Sequence, residues 1–153
     1  MALDLAAIRL ALANQIRDNI ATGVNVYDGY RPDAPQLPAV IIVPTDDGPY
    51  VDYEGSLKRP IGTVTFSVQV LARPGTGQGA DGQRMLDAFI SSGDAGAMPD
   101  SILDAIRADR LLGGAVVEPV QAGPWDYRGV ILLGDGSTPA EWATLTVQLR
   151  QIA

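Results

Sequence analysis

Histidine and cysteine are both missing from this sequence of 153 residues. Without them, neither a Ser–His–Asp triad nor a Cys–His pair can be built. Zinc sites made of Cys and His ligands, disulfides, Fe–S clusters and His-ligated haem are excluded for the same reason. A pH switch near neutrality would need a strongly shifted carboxylate or lysine in place of imidazole.

Positive charge and long apolar runs are also scarce. There are 11 Lys and Arg residues against 18 Asp and Glu, so the formal net charge is −7. A protein that binds nucleic acid without sequence preference needs a basic face, and this balance argues against one. No apolar run approaches the roughly 20 residues of a membrane span. The first residues, Met1 to Asp4, lack the basic start and apolar stretch of a signal peptide, so we expect synthesis in the cytoplasm.

What is present fits one folded domain over residues 1–153. Hydrophobic residues make up 46% of the chain and charged residues 19%, which is ordinary for a globular domain. The 17 glycines and 11 prolines cluster between apolar segments. This distribution predicts many turns and no long disordered region.

Three helices are predicted from apolar periodicity. The first spans roughly Asp4 to Ala21, with Asp4 as N-cap and Gly23 in a left-handed conformation after its end. The second covers about Gly82–Ser92. The third is short, is capped by Asp100 or Ser101, and ends at Gly113-Gly114.

Strands are predicted where apolar residues run together or alternate with polar ones. The Ala39–Val43 run indicates a buried central strand, and Thr45–Gly62 is predicted to be a long polar loop. The predicted strands are Val24–Tyr27, Ala39–Val43, Thr63–Val70, a short edge strand at Val116–Val120, Tyr127–Leu133 and a final strand over Ala143–Arg150. Because the helices fall in two blocks, we expect an α+β fold. Its mostly antiparallel twisted sheet should pack against the N-terminal helix and two short central helices.

Two predicted strands carry small uncharged polar residues at most of their outward positions. In Thr63–Val70 these residues are Thr, Ser and Gln. The final strand has the same pattern at Thr144, Thr146 and Gln148, and its last outward residue is Arg150. A solvated sheet face would normally carry more Lys and Glu. The pattern therefore suits a close polar contact with another subunit, and an ordinary solvated face is the alternative.

A Gly-rich loop, Gly75–Gly82, stands between a strand and a helix, where such loops can hold a phosphate. It lacks the Walker lysine followed by Ser or Thr, and the strand–loop–helix step is not repeated as a parallel unit. A flexible connector is the simpler interpretation, with a nucleotide-binding enzyme as the alternative.

Four acidic residues, Asp46, Asp47, Asp52 and Glu54, fall in one loop. Their carboxylates could bind Ca²⁺ or Mg²⁺ weakly, although the spacing does not match an EF-hand. A solvated acidic loop is the simpler interpretation. Nearby tyrosines and the basic residues of other connecting segments have the chemistry of subunit interfaces, where opposite charges could pair head to tail.

The order of these segments resembles the tail terminator (minor tail) proteins of long-tailed bacteriophages. The similarity covers most of the chain and depends on pattern and order, not on a catalytic signature. It is carried by the N-terminal amphipathic helix followed by Val26–Pro32, Leu37–Pro44, Thr63–Val70, Gln83–Phe89, Ser101–Ile106 with Leu112–Gly114, and Ala143–Val147.

The resemblance implies a structural virion protein of the tail or neck, with no enzymatic activity, cofactor or metal. Family members form a hexameric ring that caps the tail tube, ends its polymerisation and meets the head connector. The implied partners are further copies of the chain, the major tail tube protein and the head–tail connector proteins. A head–tail connector protein of the neck is the nearest alternative.

Six copies would carry a formal charge of about −42, which would let DNA pass through an acidic lumen without being held. The candidate residues for the ring or tail-tube interface lie in loops and at outward strand positions. They are Arg31, Asp46, Asp47, Tyr50, Tyr53, Lys58, Arg59, Arg73, Thr144, Thr146, Gln148 and Arg150.

Overall fold

The fold comes from a computed structural model, in which helices lie on one side of a mostly antiparallel sheet. It describes residues 3–20, 23–29, 35–55, 62–72, 80–93, 100–134, 136 and 139–151. The helices are α1 (Leu5–Asn19), α2 (Ala80–Ile90) and α3 (Ile102–Arg107), with a 3₁₀ turn at Leu112–Gly114. The strands are β1 (Asn25–Tyr27), β2 (Ala39–Pro44), β3 (Val51–Asp52), β4 (Gly62–Ala72), β5 (Gln121–Leu132) and β6 (Pro139–Gln151).

The sheet has the order β1-β2-β4-β6-β5, and β3 pairs with the start of β4. β1 is parallel to β2, and every other pairing is antiparallel. β4 and β6 pair over eleven positions, from Gly62 opposite Gln151 to Ala72 opposite Glu141. The predicted α+β class and mostly antiparallel sheet are confirmed.

The main core lies between the helices and one face of the sheet, called here the helix-side face. In β4 it takes Val64, Phe66, Val68 and Val70, all fully buried. Alternate residues of β6 continue it, and α1, α2 and α3 cover it with Leu12, Ile16, Leu86, Phe89, Ile102 and Ile106. The strict alternation of β4 therefore corresponds to a strand whose helix-side residues are more deeply buried than those on its other face.

Side-chain caps define where two helices begin. Asp4 accepts a hydrogen bond from the Ala7 N–H at 3.0 Å, and Ser101 accepts one from the Asp104 N–H at 3.1 Å. Each cap satisfies a backbone donor that has no partner within the helix. Both predicted caps are confirmed, with Ser101 chosen over Asp100. The predicted left-handed Gly23 is wrong, because the chain already leaves α1 in an extended conformation at Ile20.

A buried carboxylate joins the ends of α2 and α3. Asp104 accepts hydrogen bonds from the Gly93 N–H at 3.3 Å, from Ser92 Oγ at 3.4 Å and from Arg107 Nη1 at 3.3 Å. Gln15 of α1 also donates to the Ala105 carbonyl at 3.0 Å. These contacts satisfy polar groups beneath the helices, so the three helices form one layer.

Several predicted boundaries are wrong, and one predicted strand does not form. α3 ends at Arg107, because the chain turns there before the 3₁₀ turn at Leu112–Gly114. The segment Val116–Val120 is irregular instead of a strand: Pro119 has no N–H, and the Val120 N–H donates to the Arg110 carbonyl.

The edge strand is β5, which begins at Gln121, six residues before the predicted start at Tyr127. Pro124 is tolerated within it because β5 is at the edge of the sheet and its register shifts there. The predicted polar loop Thr45–Gly62 includes β3, and residues 56–61 lie outside the described part. Among the described helices, none has the length and apolar character required to cross a bilayer.

Candidate functional site

The sheet face that points away from the helices carries a patch of polar side chains, called here the polar face. It is formed where Thr63, Thr65, Ser67 and Gln69 of β4 lie opposite Arg150, Gln148, Thr146 and Thr144 of β6. The β4 residues are half-buried, and Thr144 is 7% exposed. The predicted outward positions of both strands are thereby brought together on one surface.

The side of the sheet that carries the polar face also carries an apolar cluster. This small second core lies farther along the same side, next to Gln69 and Thr144, and consists of Ala39, Ile41, Leu71, Leu133 and Ala140. Trp142 packs against that cluster. Among the described residues, no helix contributes to this second core. The described residues that cover its apolar side chains lie in strands and in the adjoining loops.

Arg150 holds one end of the polar face together. Its Nε donates to Glu54 Oε1 at 2.9 Å and its Nη2 to Glu54 Oε2 at 3.0 Å. Its Nη1 donates to Glu118 Oε1 at 3.0 Å, and Thr63 Oγ1 donates to Glu54 Oε1 at 3.2 Å. One guanidinium therefore links the loop after β3 to the segment before β5, using the paired geometry that favours arginine.

Contacts within this cluster shift the pKa values of Glu54 and Arg150. The hydrogen bond from Arg150 is the main cause that lowers the pKa of Glu54 below its ordinary value of 4.5. The same Glu54 contact raises the pKa of Arg150. Both groups therefore remain charged at neutral pH. Because Arg150 contacts both Glu54 and Glu118, the cluster keeps one net negative charge, which this end of the face presents to a partner.

A second arginine, Arg128 of β5, lies on the same face. Its Nε donates to Thr144 Oγ1 at 3.2 Å. Its Nη2 lies 3.7 Å from Asp47 Oδ2 and 4.0 Å from Asp126 Oδ2. Two predicted interface residues, Asp47 and Thr144, are thus connected through a residue that the sequence did not single out.

The two candidate tyrosines have different surroundings. Tyr50 is half-buried, and its ring meets Phe66 edge-on with centroids 5.7 Å apart. Its carbonyl also accepts from the Thr65 N–H at 2.9 Å. Tyr53 is 50% exposed. Tyr50 is therefore part of the chain's own packing, whereas Tyr53 is available at the surface.

The remaining candidates fall into two groups. Asp46 and Gln148 are exposed, and Thr146 is half-buried on the polar face. Arg31, Lys58, Arg59 and Arg73 lie outside the described residues. The Gly75–Gly82 loop lies mostly outside them as well, since the description resumes where α2 begins at Ala80.

Two functional side chains were missed by sequence reasoning. Arg128 falls within a segment whose register with β6 shifts twice, so simple alternation does not assign it to a face. Glu118 was placed in a short edge strand that does not form. Only the position of Arg150 on β6 carried a signal for this cluster, because it continues the outward row of Thr144, Thr146 and Gln148.

The polar face has the means to form hydrogen bonds but little room for a small molecule. A pocket of about 90 Å³ lies among Thr63, Gln148, Arg150 and neighbouring residues. In the described part of the chain, no group of three or more acidic residues is arranged to hold a metal ion. Asp46, Asp47, Asp52 and Glu54 are among the described residues. Their arrangement therefore does not support the weak Ca²⁺ or Mg²⁺ site considered from the sequence.

A larger pocket of about 330 Å³ lies between α3 and the start of β5, lined in part by Arg107 and Arg110. Both arginines already have partners. Arg107 Nη1 donates to Ser92 Oγ at 2.7 Å, and Arg110 Nη2 donates to the Val120 carbonyl at 3.3 Å. The pocket therefore presents two occupied guanidinium groups, and its described lining holds no carboxylate that would act as a general base.

No protein-family model matches this chain, and the comparison with curated proteins gives no match.

Proposed function

We propose that this protein is a structural component of a bacteriophage tail. In this role, identical subunits form a closed ring that caps the tail tube, ends its polymerisation and meets the head connector. The proposal begins from the order of segments, which resembles that of tail terminator proteins. The observed α+β fold is compatible with it.

The observation that carries the proposal is the polar face of β4 and β6. Thr and Ser side chains are compact donors and acceptors that order with a small loss of conformational entropy, and the Gln amide can both donate and accept. Charged residues at this face lie mainly in the Arg150 and Arg128 clusters, where each arginine contacts two carboxylates of its own chain and each cluster keeps a net charge of −1. A second subunit can therefore pack over the uncharged centre of the face, between the two clusters, without leaving an isolated charge buried.

Assembly is tested first by native mass spectrometry and electron microscopy of the full chain, alone and with purified tail tubes. The expected result is a closed oligomer or rings stacked into tubes. Thr146→Glu places a charge in the middle of the polar face, so it should convert the oligomer to monomer. Ala6→Glu adds the same charge on the exposed surface of α1 and should leave assembly unchanged. A strict monomer in every condition, including with tail tubes, would contradict the ring.

The position in the particle is tested by deleting the gene in a phage that carries it. Loss of a terminator should give overlong tails, because polymerisation no longer stops. Tails of normal length that fail to join heads would favour a neck connector instead. A thermal-shift screen with nucleotides and divalent ions addresses the enzyme alternative, since a ligand that binds only the folded state raises Tm.

A further inference from the structure

The two outer strands of the sheet differ in how open their edges are. β1 has only three residues, and Arg17 Nη2 donates to the Val26 carbonyl at 3.0 Å, which occupies an outward group of that edge. β5 has twelve residues and, within the described part of the chain, pairs only with β6. An edge strand presents a row of unpaired N–H and C=O groups that can pair with another chain.

The first part of β5 is protected against such pairing, and its last part is not. Pro124 and the register shifts between Ala122 and Trp125 and between Tyr127 and Gly129 interrupt the first part. Prolines and bulges are devices that discourage edge pairing. From Gly129 to Leu132 the register with β6 is continuous, and the residues are Gly, Val, Ile and Leu.

Large apolar side chains are exposed along this same strand. Tyr127 is 60% exposed, Val130 62% and Leu132 58%. Their partners on β6 are Ala143, Glu141 and Pro139, which lie on the helix-side face. All three side chains therefore point to the helix-side face, at a place where their exposure shows that the helices do not cover them. A row of exposed apolar side chains along an unprotected strand edge is typical of an interaction site.

A carboxylate next to this row has spare acceptor capacity. Tyr127 Oη donates to Glu141 Oε1 at the long distance of 3.4 Å, and Glu141 Oε2 is buried with no hydrogen-bond partner. None of the ion pairs among the described residues includes Glu141. A shielded carboxylate that no described cation pairs is unfavourable, so a partner that brings a cation gains a charge-assisted hydrogen bond.

We propose that the 129–132 edge of β5 binds an extended segment of another protein as an added strand, with a Lys or Arg side chain directed to Glu141. Its apolar residues would cover Val130 and Leu132. The added strand would lie two strand spacings from β6, about 10 Å. A long basic side chain and the Glu141 side chain can together span that gap, past Val130, which is paired with Glu141.

A second copy of this chain is the less suitable occupant. Its β5 would bring Tyr127, Val130 and Leu132 to the helix-side face, with no cation among them, while Arg128 contacts Thr144 on the opposite face. Its β1 edge is partly occupied by Arg17. The unpaired charge of Glu141 therefore favours a different, basic and apolar strand. This inference is independent of ring formation, which we assign to the polar face.

The probe is a pair of labelled seven-residue peptides. The first has the sequence Thr-Val-Thr-Lys-Thr-Val-Thr, and the second has Glu in place of the Lys. Binding to the full chain is followed by fluorescence anisotropy, and NMR amide shifts locate it. The Lys peptide should bind about tenfold more tightly than the Glu peptide, which corresponds to about 1.4 kcal/mol. The largest shifts should fall at residues 129–132.

Two variants and a matched control separate the parts of the proposal. Glu141→Gln should bring the ratio of the two affinities close to one, because the charge is removed and the edge is kept. Val130→Lys sets a cation beside Glu141, its partner on β6, so binding of the Lys peptide should be lost. Leu10→Lys, at an exposed apolar position on α1, should leave the binding of both peptides unchanged; thermal unfolding checks that all variants are folded.

Equal affinity of the wild-type chain for the two peptides would overturn the proposal. So would failure of both to bind, or binding of the Lys peptide that survives Val130→Lys. Self-association that Val130→Lys abolishes and Thr146→Glu leaves intact would assign the edge to a second copy instead. Loss of the ring with Thr146→Glu alone bears on the proposed function and leaves the β5 edge unaffected.

Discussion

The two faces of β4 are made by one run of alternating residues, yet they have different environments. Val64, Phe66, Val68 and Val70 are fully buried under the helices, whereas Thr63, Thr65, Ser67 and Gln69 remain half-buried on the polar face. The first set makes the core, and the second has no described helix packed over it. The comparison shows that one strand can serve stability on one side and remain available for contacts on the other.

The strongest test of this comparison replaces neighbouring residues on opposite faces. Phe66→Ala should lower the free energy of unfolding by about 3–5 kcal/mol, since it leaves a cavity and removes the ring contact with Tyr50. Thr65→Ala should change it by about 1 kcal/mol or less. Urea unfolding measures both. Equal effects from the two variants would mean that the faces do not differ in this way.

A second test compares the small second core with the neighbouring polar face, on the side of the sheet away from the helices. Leu71 belongs to the small second core, so Leu71→Ala should lower the free energy of unfolding by roughly 2–4 kcal/mol. Gln69→Ala, two residues earlier on the same face, should lower it by about 0.5 kcal/mol. Denaturant midpoints of the two variants give the comparison. A small effect at Leu71 would show that the small second core is energetically like the polar face.

The smallest effect is expected at the Arg150 cluster, and it should depend on pH. Because the folded-state pKa of Glu54 is lowered, its stabilising contact is fully present above the ordinary value of 4.5. The contribution is lost as the pH falls through the lower folded-state pKa. Glu54→Gln should therefore reduce Tm slightly at pH 7, and the difference from wild type should vanish in acid and shrink in high salt.

The control for this test is Asp46→Asn, an exposed carboxylate on the loop that precedes β3. It should leave Tm at pH 7 close to that of wild type, because the Arg150 cluster is kept intact. A difference between wild type and Glu54→Gln that grows toward low pH would reverse the sign of the proposed contact. Differential scanning calorimetry across pH 3–7 measures both variants under the same conditions.

Local patterns were sufficient for most of the fold. The 3.6-residue stripe of α1, the caps at Asp4 and Ser101 and the alternation of β4 and β6 each follow from interactions within a few residues. The α+β class then follows from the order of these elements. These predictions held because hydrophobic periodicity and side-chain capping are short-range effects.

The sequence by itself determined most of the elements, the missing catalytic residue types and the polar character of one sheet face. Tertiary structure alone decided that β5 is the long edge strand, that Arg150 joins Glu54 to Glu118, and that Arg128 connects Asp47 with Thr144. Glu54 and Arg150 are 96 positions apart in the chain. Such contacts depend on strand order and register, which no local pattern of residues encodes.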